Sequence, residues 1–450
     1  MTSITLGAQG LPQFTPLPHA SLDRLKLLLQ VSRACGDIGT FHLGKQAFVL
    51  INSAAYARTI LVDQPDAFEK SRYQRHLGSA GLGNGLLSSP NATHRRQRRL
   101  LAPAFDAQHL TAYTSVMADY AEQLQQTWAD GAIIDLTHEM MQLTLRIIGK
   151  TMFALDLETE AAALGEAMTL AIRAADQAFN GQPRWPANSG LDDEHVRAAL
   201  TYLGATVTRM FTSAPQAPEQ QGRLLKLLLA AYDPQASASE PGSEVRLTES
   251  QVRDEIMTML IAGHENPRNA LTWTWYLLAQ HAEVYERLQA ELAQVLAGRS
   301  PTAADLPRLP YTLQVYKEAL RLYPPAYAFG RQAVQPVRVG KYTLPAGTEI
   351  VISPYTLHRR PDYFPDPECF DPDRFSPANE QRLLRHAYLP FGSGPRGCIG
   401  AQFALFEGQF ILATLAQRVT FELLPGQQIE PEPLVTLRPR GRVKVAVRRR

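Results

Sequence analysis

A cysteine lies among glycines near the end of the chain, in FGSGPRGCIG. Glycine lets another group approach the main chain closely, because it has no side-chain carbon. The stretch IGAQFALFEGQFILATLAQR that follows predicts a helix, so the Cys398 thiol should lie at a helix N-terminus, which favours a thiolate. Such a thiolate suits a metal or an electrophile. Arg396 is a fixed cation that suits a carboxylate on the bound group, and a reactive but incidental cysteine is the alternative.

A second polar stretch, AGHENPR, interrupts a long apolar helical pattern. The pattern begins with a capping box, Thr248 and Gln251, and continues to about residue 280, so the helix should be about 45 Å long and run through the core. Pro267 has no N–H and leaves the Gly263 carbonyl without its helical partner, so we expect the helix to bend or open there. An opened helix would hold water or a small ligand. Alternatively, the proline only shapes the helix and Glu265 faces solvent.

The elements that must position these residues are mostly helices. Apolar residues recur at helical spacing through most of the chain, and strand-like alternation is confined to TFHLGKQAFVLI, VRVGKYTLPAGTEIVIS and VKVAV. The sequence therefore predicts a mainly α protein with a small β region, at roughly 1–65 and 325–360. With no internal repeat or interdomain linker, we expect one domain over 1–450. Two loops rich in Pro, Gly and Ser are predicted at 181–190, a candidate lid or a plain helix connector, and at 233–244.

Composition excludes several classes of protein. A formal net charge of +2 in 450 residues gives no global attraction to nucleic acid or anionic lipid. Three cysteines without paired spacing indicate neither a disulfide framework nor a zinc site, and no run of eighteen apolar residues occurs. We expect a cytoplasmic protein without a membrane anchor. The basic C-terminal stretch LRPRGRVKVAVRRR lacks interleaved aromatic residues, so a frayed, solvated strand end explains it better than nucleic-acid binding.

The glycine-rich stretch fits a known pattern. Phe391, Gly394, Arg396, Cys398 and Gly400 match FxxGxRxCxG, which resembles the haem-binding loop of the cytochrome P-450 family. This resemblance implies a triangular, helix-rich single domain in which a long central helix crosses the haem. It also implies haem b as the cofactor, Cys398 as the axial ligand of the iron, and cofactor contacts from Phe391 and Arg396.

Two further stretches fit the same resemblance. KEALRLYPP supplies the family's E-x-x-R pair as Glu318 and Arg321, and FDPDRF supplies Arg374 as the third member of an ion network. By themselves, Glu318 and Arg321 would be a surface pair worth a few tenths of a kcal/mol. The resemblance implies that the three residues lock the segment leading into the cysteine loop.

The resemblance also implies residues that hold the haem propionates. In HRRQRR, His94 and Arg98 match the family's propionate-binding pair, although many members carry tryptophan at the position of His94. Arg331 matches a strand arginine with this function, as Arg396 does, and His358 is a weaker candidate. At least two arginines of HRRQRR are expected to be a solvated basic face instead.

The implied reaction is insertion of one oxygen atom from O2 into a hydrophobic substrate. Protons must reach the bound oxygen, and the family uses an acid followed by threonine; this chain has Glu265 followed by Asn266. An amide donates a hydrogen bond but cannot relay a proton by rotation, so ordered water should carry the proton from Glu265, with Gly263 at the same bend. Two alternatives remain: a peroxygenase driven by hydrogen peroxide, and a haem-binding sensor without turnover.

The resemblance leaves the substrate open among terpenoids, fatty acids and macrolides, with some stretches similar to bacterial carotenoid ring hydroxylases. A fused reductase domain would need about another hundred residues. Electrons should therefore come from a separate ferredoxin or flavodoxin and its reductase, and so from NAD(P)H only indirectly. Arg95 and Arg99 are the expected docking residues for an acidic donor.

Overall fold

The computed structural model describes residues 3–6, 10–15, 23–78, 83–180, 193–212, 222–232 and 246–450. The two loops predicted at 181–190, including the candidate lid, and at 233–244 lie outside the described residues. Most of the described residues lie in helices and the strands are short, which confirms the predicted fold class.

The α-helices follow one another through most of the chain. They are α1 (Arg24–Cys35), α2 (Ala54–Arg58), α3 (Arg72–Leu77), α4 (Asn91–Leu101), α5 (Ala107–Gln126), α6 (Leu136–Phe153), α7 (Ala161–Asn180), α8 (Asp193–Thr212), α9 (Arg223–Ala231), α10 (Glu249–Leu278), α11 (Ala282–Leu296), α12 (Pro310–Leu322), α13 (Pro354–Leu357), α14 (Pro377–Glu380) and α15 (Ala401–Leu415).

The strands are short and cluster near the two ends of the chain and around residue 340. They are β1 (Ser3–Leu6), β2 (Pro12–Thr15), β3 (Ile38–Leu43), β4 (Gln46–Ile51), β5 (Phe68–Lys70), β6 (Ile133–Asp135), β7 (Phe329–Ala333), β8 (Val337–Val339), β9 (Tyr342–Leu344), β10 (Glu349–Ile352), β11 (Val419–Leu423), β12 (Pro431–Pro433), β13 (Leu437–Pro439) and β14 (Lys444–Arg449). The three strand-like stretches of the sequence form β3 and β4, β8 to β10, and β14.

The chain folds into two compact units, one from 1–75 and 318–398 and the other from 76–317 and 399–450. The predicted single domain stays a prediction. The first unit contains a seven-stranded sheet in the order β1-β2-β3-β4-β10-β7-β5 and the hairpin β8-β9. Aliphatic side chains of β4 and β10, such as Ile51, Ile350 and Ile352, are fully buried in its core. They are buried because these two parallel strands lie in the middle of the sheet.

The second unit is built around α10. Its N-terminus has the predicted capping box: the Gln251 N–H donates to Thr248 Oγ1 (3.3 Å), and the Thr248 N–H donates to Gln251 Oε1 (2.9 Å). α10 packs against α6, α8, α9 and α15, and Trp273 and Trp275 in its second half are fully buried. This confirms that the long helix runs through a core.

The C-terminal basic stretch is not frayed. β14 lies between β11 and β6 in a three-stranded sheet, because its alternating Val445 and Val447 are buried. The expectation of a frayed strand end was therefore wrong. Among the described residues, no helix has both the length and the apolar character needed to cross a bilayer.

Candidate functional site

The cysteine loop in the first unit closes on itself. The Cys398 N–H donates to the Phe391 carbonyl (2.8 Å), and the Gly397 N–H donates to the Gly394 carbonyl (2.9 Å). Gly394 has a φ of 70°, and a Cβ there would lie 1.8 Å from the Leu61 carbonyl oxygen, so only glycine fits. Cys398 is exposed. The loop therefore presents a thiol on a rigid backbone, three residues before α15 begins.

Three buried cations lie in the same unit. Lys70 on β5 pairs directly with Arg331 on the antiparallel strand β7, and like charges directly opposite destabilise a sheet. Burial lowers the pKa of Lys70 well below its usual value, and the charges of Arg331 and Arg396 lower it further. Burial, followed by the Arg396 charge, lowers the pKa of Arg331 to about 10. The nearby acid is Glu69, 3.6 Å from Arg396 Nη2.

This cluster has an excess of positive charge that an anionic group would balance. Carboxylates of a haem fit that requirement, since charge-assisted bonds to arginine and lysine are the usual way to hold a partly buried carboxylate. Arg331 and Arg396 were predicted from the sequence. Lys70 was not predicted, because the residues next to it in the sequence do not show which strand β5 pairs with.

The cation cluster predicts how the haem-free protein depends on pH. Lys70→Met should raise the free energy of unfolding near pH 7 by a few tenths to about 1 kcal/mol, because it removes a cation opposite Arg331. A lysine whose native pKa is lowered destabilises the folded protein at low pH. This destabilisation disappears as pH rises from the native pKa to the ordinary lysine value of about 10.4. The difference between the two proteins should therefore shrink at high pH in denaturant titrations. Lys45→Met, at an exposed turn of the same unit, should show no such trend; an equal trend in both variants would contradict the prediction.

The predicted ion network is present in the first unit. Arg321 Nε and Nη2 donate to the two oxygens of Glu318 (2.7 and 2.8 Å), and Arg374 Nε donates to Glu318 Oε1 (3.3 Å). Both Glu318 and Arg321 are fully buried. The Arg321 guanidinium also donates to three backbone carbonyls, those of His358, Pro367 and Cys369. Glu318 and Arg321 are therefore not the surface ion pair that their spacing by itself would indicate.

His358 was wrongly predicted as a propionate ligand. Its ring is fully buried, Nδ1 donates to the Arg321 carbonyl (3.2 Å), and Nε2 accepts from the Leu389 N–H (2.8 Å). Burial lowers its pKa to about 3, so the ring is neutral. Both nitrogens are therefore used in backbone hydrogen bonds that join α12 to the segment before the cysteine loop.

The second unit holds the other predicted propionate residues. On α4, His94 is buried and Arg98 is half-buried one turn later, so both lie on one helix face. Arg95 and Arg99 are exposed, as expected of the solvated basic face.

The middle of α10 is accessible at three positions. Within 255–275, Ala262, Gly263 and Asn266 are half-buried and every other residue is buried. Gly263 also permits close packing with α6, because a Cβ there would lie 2.6 Å from Ile148 Cδ1. The helix nevertheless continues unbroken through Pro267, so of the two expected outcomes, a bend or an opening, the opening was wrong. One missing N–H does not open a helix whose flanking turns are buried against neighbours.

Glu265 is a buried carboxylate with four polar neighbours. It accepts hydrogen bonds from Arg268 (3.0 Å), Asn269 (3.1 Å) and Thr436 (3.0 Å), and His264 Nε2 lies 3.8 Å away. Burial opposes ionisation, but the cations, led by Arg268, outweigh it and lower the pKa of Glu265 to about 2. Glu265 is therefore ionised at neutral pH. The alternative of a solvent-facing Glu265 was wrong, and its expected function as a proton donor stays a prediction.

Asn266 is engaged within the helix. Its amide Nδ2 donates to the Ala262 carbonyl (3.1 Å), and the amide has a second N–H that this bond does not use. The sequence did not reveal this bond, which fixes the direction of the amide.

A cavity of about 920 Å³ in the second unit reaches Arg268. Its walls come from α6, α7, α8, β13 and the segment after β13, and they include Arg173 and Arg438, which both bind Glu432 (3.0 and 2.9 Å). Arg268 thus connects the Glu265 carboxylate to a cavity that has charged side chains in its walls. No sequence signal could have found it, because its walls come from widely separated segments.

Comparison with known proteins identifies similar chains. The family model of cytochrome P-450 matches residues 7–446. Cyclooctatin synthase of Streptomyces melanosporofaciens is 35% identical over 412 residues, which cover 90% of this chain and 87% of that protein. Pentalenene oxygenase of Streptomyces avermitilis is 33% identical over 416 residues, 90% of this chain and 88% of that protein. Protein LUTEIN DEFICIENT 5, chloroplastic, of Arabidopsis thaliana is 31% identical over 406 residues, 87% of this chain and 68% of that protein.

Proposed function

The chain belongs to the cytochrome P-450 family and is a haem-thiolate monooxygenase acting on hydrophobic substrates, and from this premise we propose that it hydroxylates a terpenoid. The names of two similar proteins state their substrates. Pentalenene oxygenase names pentalenene, and cyclooctat-9-en-7-ol 5-monooxygenase of Streptomyces melanosporofaciens, 33% identical over 407 residues, names an alcohol. A carotenoid would be a larger substrate of the same chemical class, the terpenoids. The apolar Ile261 and Ala262 beside the accessible positions of α10 suit either one.

The observation that carries the cofactor assignment is the buried cation cluster of Lys70, Arg331 and Arg396. Its excess of positive charge suits an anion, and it belongs to the same unit as the rigid loop that presents Cys398. We assign the thiolate of Cys398 to the iron of haem b and the cluster to its propionates. His94 and Arg98, on α4 of the second unit, stay predictions from the sequence as further propionate donors. When bound, a haem with a thiolate ligand supplies the O–O cleavage chemistry.

Glu265 has the function of a relay in this proposal. Since its pKa is lowered, it takes up a proton only transiently, from water in the cavity that Arg268 lines, and passes it on towards the accessible face of α10. Thr436 and Asn269 hold one carboxylate oxygen, and Arg268 holds the other. The carboxylate is thereby kept in place between the transfers.

Asn266 orients the water that completes this path. The amide is fixed by its bond to the Ala262 carbonyl, and its second N–H donates to water on the accessible face. Gly263 leaves room for that water on the same face. The proton itself moves through water, because an amide does not relay it.

Removal of the Asn266 amide should uncouple the reaction. We expect Asn266→Ala to release several times more hydrogen peroxide per NAD(P)H consumed, because the water that carries the proton loses its donor. The ratio of peroxide to hydroxylated product measures this directly. Asn266→Thr is the matched control and should keep the coupling, since a hydroxyl both donates and relays; unchanged coupling in the alanine variant would refute the function of Asn266.

Turnover with two oxidant systems tests the proposed function. The purified protein, with a terpene such as pentalenene, is supplied either with a ferredoxin, its reductase and NAD(P)H or with hydrogen peroxide alone. We expect the hydroxylated product only with the electron donors, which the exposed Arg95 and Arg99 would help to dock. Product formed with peroxide alone would identify a peroxygenase. Binding without product in either system would identify a sensor.

A further inference from the structure

Two buried polar side chains on α10 have no use in the reaction described above. Within the described part of the chain, Glu255 Oε1 and Thr258 Oγ1 are buried without a hydrogen-bond partner. Glu255 is 0% exposed and Thr258 is 4% exposed. Most buried polar atoms in native proteins are paired, so an unpaired pair of this kind requires a reason.

The two side chains lie one turn apart on the face of α10 that carries the accessible residues. Glu255, Thr258, Ala262 and Asn266 are spaced by three, four and four residues, which places them in one stripe along the helix. At a rise of 1.5 Å per residue, Glu255 is about 10 Å along the axis from Ala262 and about 16 Å from Asn266. That distance is much longer than a small gas or a water molecule, so one ligand that contacts both positions must be extended.

The segment before α4 holds this end of the stripe in place. The Leu86 N–H donates to Glu255 Oε2 (3.1 Å), which leaves Oε1 available. Gly85 approaches so closely that a Cβ would lie 2.5 Å from Thr258 Oγ1 and 2.9 Å from Glu255 Oε2. The Leu86 N–H is used by Glu255 Oε2, so Glu255 Oε1 and Thr258 Oγ1 stay without a hydrogen-bond partner among the described residues.

Glu255 is able to donate as well as accept. Burial raises its pKa to about 8, and the charge of Asp254 adds to this effect against the Leu86 N–H. At pH 7 the group is thus mostly a neutral carboxyl, which has one O–H donor. Together with the Thr258 hydroxyl, it offers a donor and an acceptor to one small polar group.

We propose that Glu255 and Thr258 form a polar anchor that hydrogen-bonds a hydroxyl at the far end of an otherwise apolar substrate. This inference rests on the proposed function, because it assumes that the reacting end of the substrate lies against Ala262 and Asn266. The anchor selects substrates that already carry an alcohol, so an earlier oxidation or hydration must supply them. The name of one similar protein, cyclooctat-9-en-7-ol 5-monooxygenase, states an alcohol of this kind.

Binding of matched ligand pairs tests the anchor. The probes are cedrol with cedrane, and geranylgeraniol with its methyl ether; the members of each pair differ only at the hydroxyl. Dissociation constants come from the change in the haem spectrum and, independently, from equilibrium dialysis. We expect each alcohol to bind about tenfold more tightly than its partner to the native protein. If neither pair shows this preference, including the case in which no probe binds, the proposal is overturned.

Variants of Thr258 test whether this side chain causes the preference for alcohols. Thr258→Val should weaken binding of the alcohols about tenfold and change that of cedrane and the ether by less than about twofold. Thr258→Ser should keep the native preference, and Glu255→Gln, which retains a donor and an acceptor, should keep most of it. Thr258→Ala serves if the valine variant does not fold. An undiminished alcohol preference in both the valine and alanine variants overturns the proposal.

The unfolding of the ligand-free variants separates an anchor from a structural residue. Thr258→Val loses no hydrogen bond, so its midpoint of denaturation should equal or exceed that of the native protein. A lower midpoint that serine restores would show that Thr258 is structural and would overturn the anchor. Failure of the proposed function is distinguishable, because it would appear as the absence of hydroxylated product in the turnover experiment, which these binding and unfolding measurements do not use.

Discussion

Cys398→Ser should abolish the thiolate spectrum of the reduced carbonyl complex and reduce monooxygenase turnover to background. A serine hydroxyl is a hard donor that stays protonated at neutral pH, whereas the thiol forms a soft anionic ligand. The loop itself should remain intact, because the hydrogen bonds donated by the Cys398 and Gly397 N–H groups use the backbone, which the substitution leaves unchanged. We therefore expect the free energy of unfolding of the haem-free variant to lie within about 0.5 kcal/mol of the native value.

Cys369→Ser is the matched control for this experiment. Cys369 is exposed in the same unit, and Arg321 contacts only its backbone carbonyl, so the variant should keep both the spectrum and the turnover. A thiolate band that persisted in Cys398→Ser would contradict the assignment of the ligand. Loss of the band in both variants would contradict it equally.

Arg321→Ala should cost at least about 3–5 kcal/mol of the free energy of unfolding. The substitution leaves Glu318 as a fully buried charge without its main partner and deprives three backbone carbonyls of their donor. Native domains are stable by about 5–15 kcal/mol, so the variant should lose a large share of its stability and should bind less haem. Denaturant titration followed by circular dichroism measures the loss.

Arg382→Ala tests whether the loss of stability comes from the ion network of Glu318, Arg321 and Arg374. Arg382 is exposed in the same unit, and its removal should change the free energy of unfolding by no more than about 0.5 kcal/mol. Glu318→Gln should fall between the two, because the amide keeps an acceptor for Arg321 but not the charge. A loss below about 1 kcal/mol in Arg321→Ala would mean that the network is not what holds α12 to the following segments.

Features that depend on residues close together in the chain could be predicted from the sequence. The capping box of α10, the spacing of Glu318 and Arg321, and the glycines around Cys398 depend on residues a few positions apart, so their geometry follows from the local backbone. The same holds for the helical fold class, because the apolar periodicity of a helix is a local property. These features also carried the resemblance to the family.

Only the tertiary structure decided which distant side chains meet. The pairing of Lys70 with Arg331 depends on which strands are neighbours in the sheet, and the ionised state of Glu265 depends on Arg268 and on Thr436 from another segment. His358 looked like a ligand until both of its nitrogens were found on the backbone. Charge and hydrogen bonding in a buried site are set by the sum of all neighbours, and that sum exists only once the chain has folded.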